Sequence, residues 1–221
     1  TSESRVLITG PTGSGKELVA RKIHKRSPRA KEPFIILNAG LLKEKTYEKE
    51  LFGQEFDDSN ISFGALERAN KGTLLIDQIS DIPLDIQSKI LRVLTDQKFK
   101  RVNGNNDVTV DVRLICSSSK DLKKEILMGN FREDLFHRIN VFEINIEPLS
   151  QRISDIPLLI KYFSKKISEN YNTKELDIDE NNSYILNHNW KGNVRELRNL
   201  IERIAILQPD NREKISNIIK I

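Results

Sequence analysis

Five short apolar runs punctuate the first two thirds of the chain: residues 6–9, 34–37, 73–76, 112–116 and 141–146. Each is bounded by Gly, Pro, Asn or charge, and most show little polar alternation. That is the pattern of strands buried on both faces. Between them, residues 17–24 (Leu18, Val19, Ile23), 84–94 (Ile86, Ile90, Leu91, Leu94) and 122–128 carry apolar positions at helical spacing. Strands alternating with helices predict an α/β fold, a parallel sheet flanked by helices. Residues 101–105, Arg-Val-Asn-Gly-Asn, followed by the apolar positions of 108–112, predict a hairpin with an Asn-Gly turn.

After Pro148 the period changes. Residues 156–171 place Ile156, Leu159, Ile160, Phe163 and Ile167 on one helical face. Residues 179–187 and 194–207 read as two more helices, and the tail to Ile221 is short and polar. With no strand pattern here, a small all-helical domain is expected from about Gln151, joined through residues 147–150. The chain therefore divides at 1–148 and 149–221.

A length of 221 residues suits one domain of good size, or one with a small companion. Hydrophobic residues at 38% and charged residues at 31% are enough for a buried core and exclude wholesale disorder. The 36 basic and 32 acidic residues leave a net charge of +4, scattered along the chain, which carries little support for nucleic-acid binding. A single cysteine, Cys116, excludes an internal disulfide framework or a cysteine-cluster zinc site. In an apolar strand it is expected in the core. No apolar run approaches the roughly 18 residues needed to span a bilayer, so no membrane partner is expected, and the location is expected to be cytoplasmic. A start at Thr1 rather than Met suggests a piece of a longer protein.

Two segments carry chemistry. The first apolar run leads straight into Gly10, Pro11, Thr12, Gly13, Ser14, Gly15 and Lys16. Glycines let successive N–H groups turn toward one point, a helix N-terminus behind them adds positive potential, and the lysine reaches terminal phosphates. Glu17 stands where a metal-holding Ser or Thr is usual. Its carboxylate either accepts from the water shell of Mg²⁺ or caps the helix N-terminus. The second segment is the run ending in Asp77, at the carboxyl edge of the sheet where ligands bind, with a role in Mg²⁺ coordination. Its neighbour is Gln78, where phosphate-loop ATPases of this pattern have a Glu that polarises water. An amide orients water but does not take its proton, so slow hydrolysis is expected.

Taken in order, these segments resemble the central AAA+ domain of sigma-54-dependent transcriptional activators. The likeness covers nearly the whole chain. It includes Gly-x-x-Gly-x-Gly-Lys-Glu at 10–17, Glu50-Leu-Phe-Gly53, Gly72-Thr-Leu-Leu-Ile-Asp77, Leu91-Arg-Val-Leu94, Phe131-Arg-Glu-Asp-Leu-Phe-His-Arg138 and Trp190-Lys-Gly-Asn-Val-Arg195. The resemblance implies an AAA+ phosphate-loop sheet followed by a helical lid, with ATP or ADP and Mg²⁺ as ligands. It makes Asn38 the switch that senses nucleotide through the acidic residue. It makes Arg132 and Arg138 the fingers that reach a neighbouring subunit's γ-phosphate, and Arg195 the second sensor. Ser118 and Ser119 stand at the first sensor. The two finger arginines are expected to be satisfied only by phosphate from an adjacent copy, so a homo-oligomer across the nucleotide site is implied, with a monomer as the expected state of the isolated, nucleotide-free domain. Between Glu55 and Gly64 the chain has a short stretch with Phe56, Asp57, Asp58 and Phe63 in place of the family's Gly-Ala-Phe-Thr-Gly-Ala loop. It reads as a short acidic linker between two helices. In this the chain is most like the NtrX branch of response regulators. That likeness implies DNA contact and kinase input through domains outside this sequence.

Three readings follow. The first is an ATP-binding, self-assembling module that regulates transcription with weak or absent hydrolysis. The second is a working ATPase that remodels sigma-54 polymerase holoenzyme. The third is a structural module with a relic loop, against which Lys16, Asp77, Arg132, Arg138 and Arg195 argue.

Overall fold

The computed structural model describes residues 3–57, 60–171, 176, 178–179, 182–207 and 217–218. In chain order the elements are β1 (Val6–Thr9), α1 (Lys16–Lys25), β2 (Phe34–Asn38), α2 (Tyr47–Phe52), β3 (Gln54–Asp57), β4 (Asn60–Ser62), α3 (Ala65–Arg68), β5 (Thr73–Asp77), α4 (Leu84–Asp96), β6 (Lys98–Lys100), β7 (Asp107–Thr109), β8 (Arg113–Ser118), α5 (Leu122–Leu127), α6 (Glu133–Ile139), β9 (Phe142–Asn145), α7 (Ile156–Tyr171), α8 (Ser183–Asn187) and α9 (Asn193–Leu207). They group into two compact units. One comprises Thr1–Gly10 with Lys16–Asn145, the other Pro11–Gly15 with Ile146–Ile221. No described helix is long and apolar enough to cross a membrane.

The first unit is built on a five-stranded sheet in the order β2-β5-β8-β1-β9, every neighbour parallel. Leu7, Ile8, Leu74, Leu75, Ile76 and Ile115 are each at most 1% exposed, so both faces of the central strands are covered. Burial of each such side chain contributes about 1.5–3 kcal/mol. Register places Asn38 beside Asp77, Ile76 beside Cys116 and Thr9 beside Ser118, which lines up the chemistry at one edge of the sheet. Cys116 is buried, as its strand position predicts, and burial pushes its thiol well above the usual range.

Four local expectations are corrected. In α1 the buried stripe is Lys16, Ala20 and His24, spaced by four, while Leu18 is 72% exposed. The helix turns the lysine inward, and a stripe led by Lys16 leaves Leu18 on the opposite side. The stretch expected as a linker is an antiparallel hairpin, β3 with β4, although Asp58 lies outside the described residues. Its pairing rests on a distant strand end: Glu55 N donates to Val102 O at 3.0 Å and Val102 N to Gly53 O at 3.0 Å. Arg101 then bridges Glu55 and Glu67 with contacts of 2.7 and 2.6 Å. The second hairpin, β6 with β7, does not turn on its Asn-Gly pair. Asn103 instead sits at φ +62° as the third residue of a four-residue turn closed by Gly104 N to Arg101 O at 3.0 Å, within a longer loop whose Val102 is held by the first hairpin.

The helical unit packs Leu149, Ile156, Ile160, Ile185, Trp190, Leu197, Ile201 and Ile204 into its own core. Trp190 is a packing residue, its indole N–H donating to Ile185 O at 2.9 Å. The second helix of this unit begins at Ser183 rather than 179, because Asn182 caps it, accepting from Tyr184 N at 3.0 Å. The tail expectation beyond Leu207 lies outside the described residues, apart from 217–218.

Candidate nucleotide site

The phosphate loop leaves β1 at Gly10 and enters α1 at Lys16. Gly10, Gly13 and Gly15 take φ values of +144°, +79° and +105°. Glycine is required most plainly at Gly13, where a Cβ would lie 2.2 Å from Gly192 O, backbone that cannot give way. The residues Pro11–Gly15 group with the helical unit, and their carbonyls are anchored there. Thr12 O accepts from Asn193 Nδ2 at 3.0 Å, Gly13 O from Arg195 N at 3.3 Å, and Ser14 O from Arg152 Nη2 at 3.2 Å. In a trans peptide the N–H points opposite to the C=O. Tying Thr12 O and Ser14 O therefore turns the N–H groups of Gly13 and Gly15 to the other side of the loop, the arrangement of an anion nest. The Ser14 hydroxyl is buried with no hydrogen-bond partner. Lys16 is 6% exposed and donates from Nζ to Gly10 O at 2.7 Å. Oriented amides, an orphan hydroxyl and a buried ammonium fit a phosphate group. Pro11 closes the first turn, accepting from Ser14 N at 3.2 Å.

At the sheet edge, Asp77 is bound on both oxygens. Oδ2 accepts from Asn38 Nδ2 at 3.4 Å, and Oδ1 from the Ser117 hydroxyl. Gln78 follows in the left-handed region, φ +60° and ψ +52°, a strained conformation for a non-glycine residue. Its amide orientation is settled by a backbone donor: Oε1 accepts from Ser119 N at 3.0 Å and from Ser119 Oγ at 2.7 Å. Both lone-pair directions of that oxygen are taken, so Gln78 has only its Nε2 donors left to offer a ligand. Ser118 is buried and turned away, its hydroxyl donating to Lys120 O at 2.8 Å. Of the two serines expected at the first sensor, Ser119 is the one in contact with Gln78.

Glu17, in the first turn of α1, pairs with Arg21 at 2.8 Å, one turn along the helix. Neither of its two expected roles, metal shell or N-terminal cap, accounts for that contact. The ion pair is half exposed and therefore weak. Among the described residues no group of three or more His, Cys, Asp or Glu is placed to hold a metal ion. Asp77, oriented by the Asn38 amide and the Ser117 hydroxyl, fits a Mg²⁺ ion met mainly through water.

The two arginines expected as fingers have partners within the chain, contrary to the expectation that only a neighbour's phosphate satisfies them. Arg132 grips Asp134 with two bonds, 3.0 and 2.6 Å, which holds the Asp134 carboxyl below its usual range. Arg138 donates from Nη2 to Leu94 O at 3.0 Å. Arg195 sits in the first turn of α9 with its backbone on Gly13 and its side chain exposed.

Four contributors escape a sequence reading. Ser117 orients Asp77. Gln87, fully buried, accepts from Arg132 N at 2.8 Å and donates to Ile82 O and Asn130 O. Asn193, 1% exposed, holds Thr12 O and accepts from Leu149 N at 2.8 Å. Arg152 holds Ser14 O. Only Asn193 leaves a sequence signal, an asparagine after glycine at the start of an apolar helical pattern.

A profile of the Sigma-54 interaction domain matches residues 1–145, and one of the AAA+ ATPase lid domain matches residues 150–219. The chain belongs to the sigma-54 interaction domain family. It is 45% identical over 208 residues to the nitrogen assimilation regulatory protein NtrX of Azorhizobium caulinodans, covering 93% of this chain and 46% of that protein. It is 43% identical over 211 residues to the regulatory protein AtoC of Escherichia coli, at 93% and 46% coverage. The chain thus spans about half the length of the curated relatives it matches. Among solved structures, NtrX from Brucella abortus in complex with ATP superposes with a TM-score of 0.89 and 44% identity, over 96% of this chain and 50% of that one. Its ADP complex gives 0.89 and 45%, over 96% and 48%.

Proposed function

We propose that this chain is the ATP-binding, self-assembling AAA+ module of an NtrX-like two-component transcription regulator, with weak or absent hydrolysis. Gly10–Lys16 hold the phosphates of ATP or ADP, with Pro11, Thr12, Gly13, Ser14 and Gly15 supplying backbone. Asp77 meets Mg²⁺ through water, with Glu17 of the loop-helix segment as the second carboxylate offered to the metal. Arg195 senses the nucleotide from the lid, and Arg132 and Arg138 serve a neighbouring copy. What supports binding is the nest, the buried Lys16 and the ATP and ADP complexes of the Brucella relative. DNA contact and kinase input belong to domains outside this sequence, in a cytoplasmic regulator.

The observation that carries the hydrolysis reading is Gln78, whose one acceptor oxygen is consumed by Ser119. A group with only N–H donors to offer cannot take a proton from water. Calorimetry with ATP and ADP, beside a phosphate-release assay, tests both halves. Gln78→Glu is expected to raise turnover at least about tenfold. Brisk turnover in the present sequence, equal to that variant, overturns the reading.

A second reading, an ATPase that remodels sigma-54 holoenzyme, is favoured by one observation. The β3–β4 hairpin carries Phe56 and Phe63 at 61% and 59% exposure, where activators of this family contact the sigma factor.

A further inference from the structure

The last turn of α4 ends on an unusual pair of donors. Gln97 leaves the helix in the left-handed region, φ +56°. Leu94 O is therefore one of the terminal carbonyls without a partner in its own helix. Two guanidinium groups take it: Arg138 Nη2 at 3.0 Å and Arg5 Nη2 at 3.2 Å. Arg5 has a second contact, Nη1 to Arg138 O at 3.4 Å. Arg5 thus holds both the backbone of Arg138 and the carbonyl on which its side chain rests.

Charge sets this corner apart. Neither arginine has a carboxylate partner among the described residues. Arg132, by contrast, is neutralised by Asp134. A helix C-terminus favours cations, which accounts for the shared carbonyl but does not cancel two full charges. Burial, and then the Arg138 charge, lower the Arg5 pKa, so the two groups are electrostatically coupled. Arg138 is exposed and rests on one hydrogen bond, leaving its remaining N–H donors for an incoming anion.

We propose that Arg5 is a positioning residue for Arg138, making this corner a two-arginine receptor for the terminal phosphates of a nucleotide held by a second copy of the chain. Arg5 limits the directions open to a long side chain and adds positive potential behind it. The γ-phosphate of ATP, absent from ADP, is the group this receptor distinguishes. The inference rests on the assignment of Arg138 under Proposed function.

The test is assembly of this chain followed by light scattering with ATP and with ADP, beside calorimetric nucleotide affinity at low protein concentration. Arg5→Met keeps the stem and removes the donors. It is expected to raise the protein concentration for half-assembly with ATP about tenfold, the loss of one charge-assisted contact, while nucleotide affinity of the monomer stays unchanged. Arg5→Lys, which keeps the charge but not the fork, is expected about midway, and carries the test should Arg5→Met fail to fold. A purely structural role would weaken assembly equally with ATP and ADP, and that result overturns the proposal. So does normal ATP-driven assembly in Arg5→Met while Arg138→Ala loses it, an outcome that leaves the Arg138 assignment standing. ATP-driven assembly that survives Arg138→Ala overturns both.

Discussion

Lys16 and Asn193 illustrate two different ways in which one side chain governs the phosphate loop. Lys16 supplies charge. Lys16→Ala removes a buried ammonium from an anion nest, and nucleotide affinity measured by calorimetry should fall at least about a hundredfold, two charge-assisted bonds at roughly tenfold each. Unchanged affinity would displace the site from this loop. Asn193 supplies geometry. It accepts from the buried Leu149 N–H and donates to Thr12 O and Lys191 O, all from a left-handed backbone at φ +55°. Asn193→Ala leaves that N–H without a partner and strains the backbone, so a loss of about 2–4 kcal/mol is expected. Asn193→Gly relieves the strain and should recover part of it. Trp190 is the single tryptophan and lies in the helical core, so its fluorescence in denaturant reads this unit alone. Equal losses in the two variants would show that backbone strain plays no part. Lys16 was legible in the sequence, because charge beside glycine has few other uses. The bonds of Asn193 to Thr12 and Leu149 were not, since they join residues 181 and 44 positions apart.

At the scale of elements, what was legible followed from how local the cause is. Unbroken apolar runs declare the strands, and all five appear within a residue or two of their expected places, but only β5, β8 and β1 at the centre are buried on both faces, while β9 at the edge is largely exposed. The β3–β4 hairpin did not declare itself, because its pairing is templated by Val102 and its Glu55 is answered by Arg101, some 45 positions away. The inner face of α1 was misjudged for a related reason. Its buried stripe is polar at both ends: Lys16 serves the loop, and His24 bonds Thr73 Oγ1 at 3.0 Å and stacks against Phe34. Burial, assisted by the Arg113 charge and opposed by a backbone bond from Glu32, lowers the His24 pKa. The folded state therefore binds this proton less readily than the unfolded state, whose imidazole titrates near 6.5. Stability from this source is present above that value and is lost as pH falls below it toward the folded pKa. Thermal unfolding of the α/β unit should thus occur at progressively lower temperature as pH drops from 7 to 5. His24→Gln should flatten that slope, whatever it costs at neutral pH. A slope unchanged by the substitution would assign the acid sensitivity to another group.

At the scale of the whole molecule, the question is whether nucleotide state reaches a partner. Remodelling requires a contact whose energy differs between nucleotide states, because an interaction equal in both states does no work. On the proposed reading the segment between Glu55 and Gly64, which has no glycine-flanked Phe-Thr pair, stands in place of the family's sigma-contacting loop. The hairpin that replaces it is tied at its base by Val102 and by the Arg101 bridge to Glu55 and Glu67, and Phe63 lies against the Arg101 guanidinium at 5.7 Å. A base pinned by half-buried charge pairs resists swinging outward, whereas an extended loop rich in glycine would move freely. On the proposed reading Gln78 adds a second barrier, since the slow turnover expected of it would starve any cyclic motion. The full regulator carrying this module is therefore expected not to drive ATP-dependent opening of a sigma-54 promoter, even with Gln78→Glu. Its effect on transcription should instead track assembly, which brings DNA-binding domains together and raises their effective concentration on paired sites. Open-complex formation with sigma-54 holoenzyme, on an intact promoter and on a pre-melted one, decides between these outcomes. Robust ATP-dependent opening of the intact promoter by the Gln78→Glu regulator, lost when Phe56 and Phe63 are both changed to Ala, would establish the short hairpin as a working sigma contact.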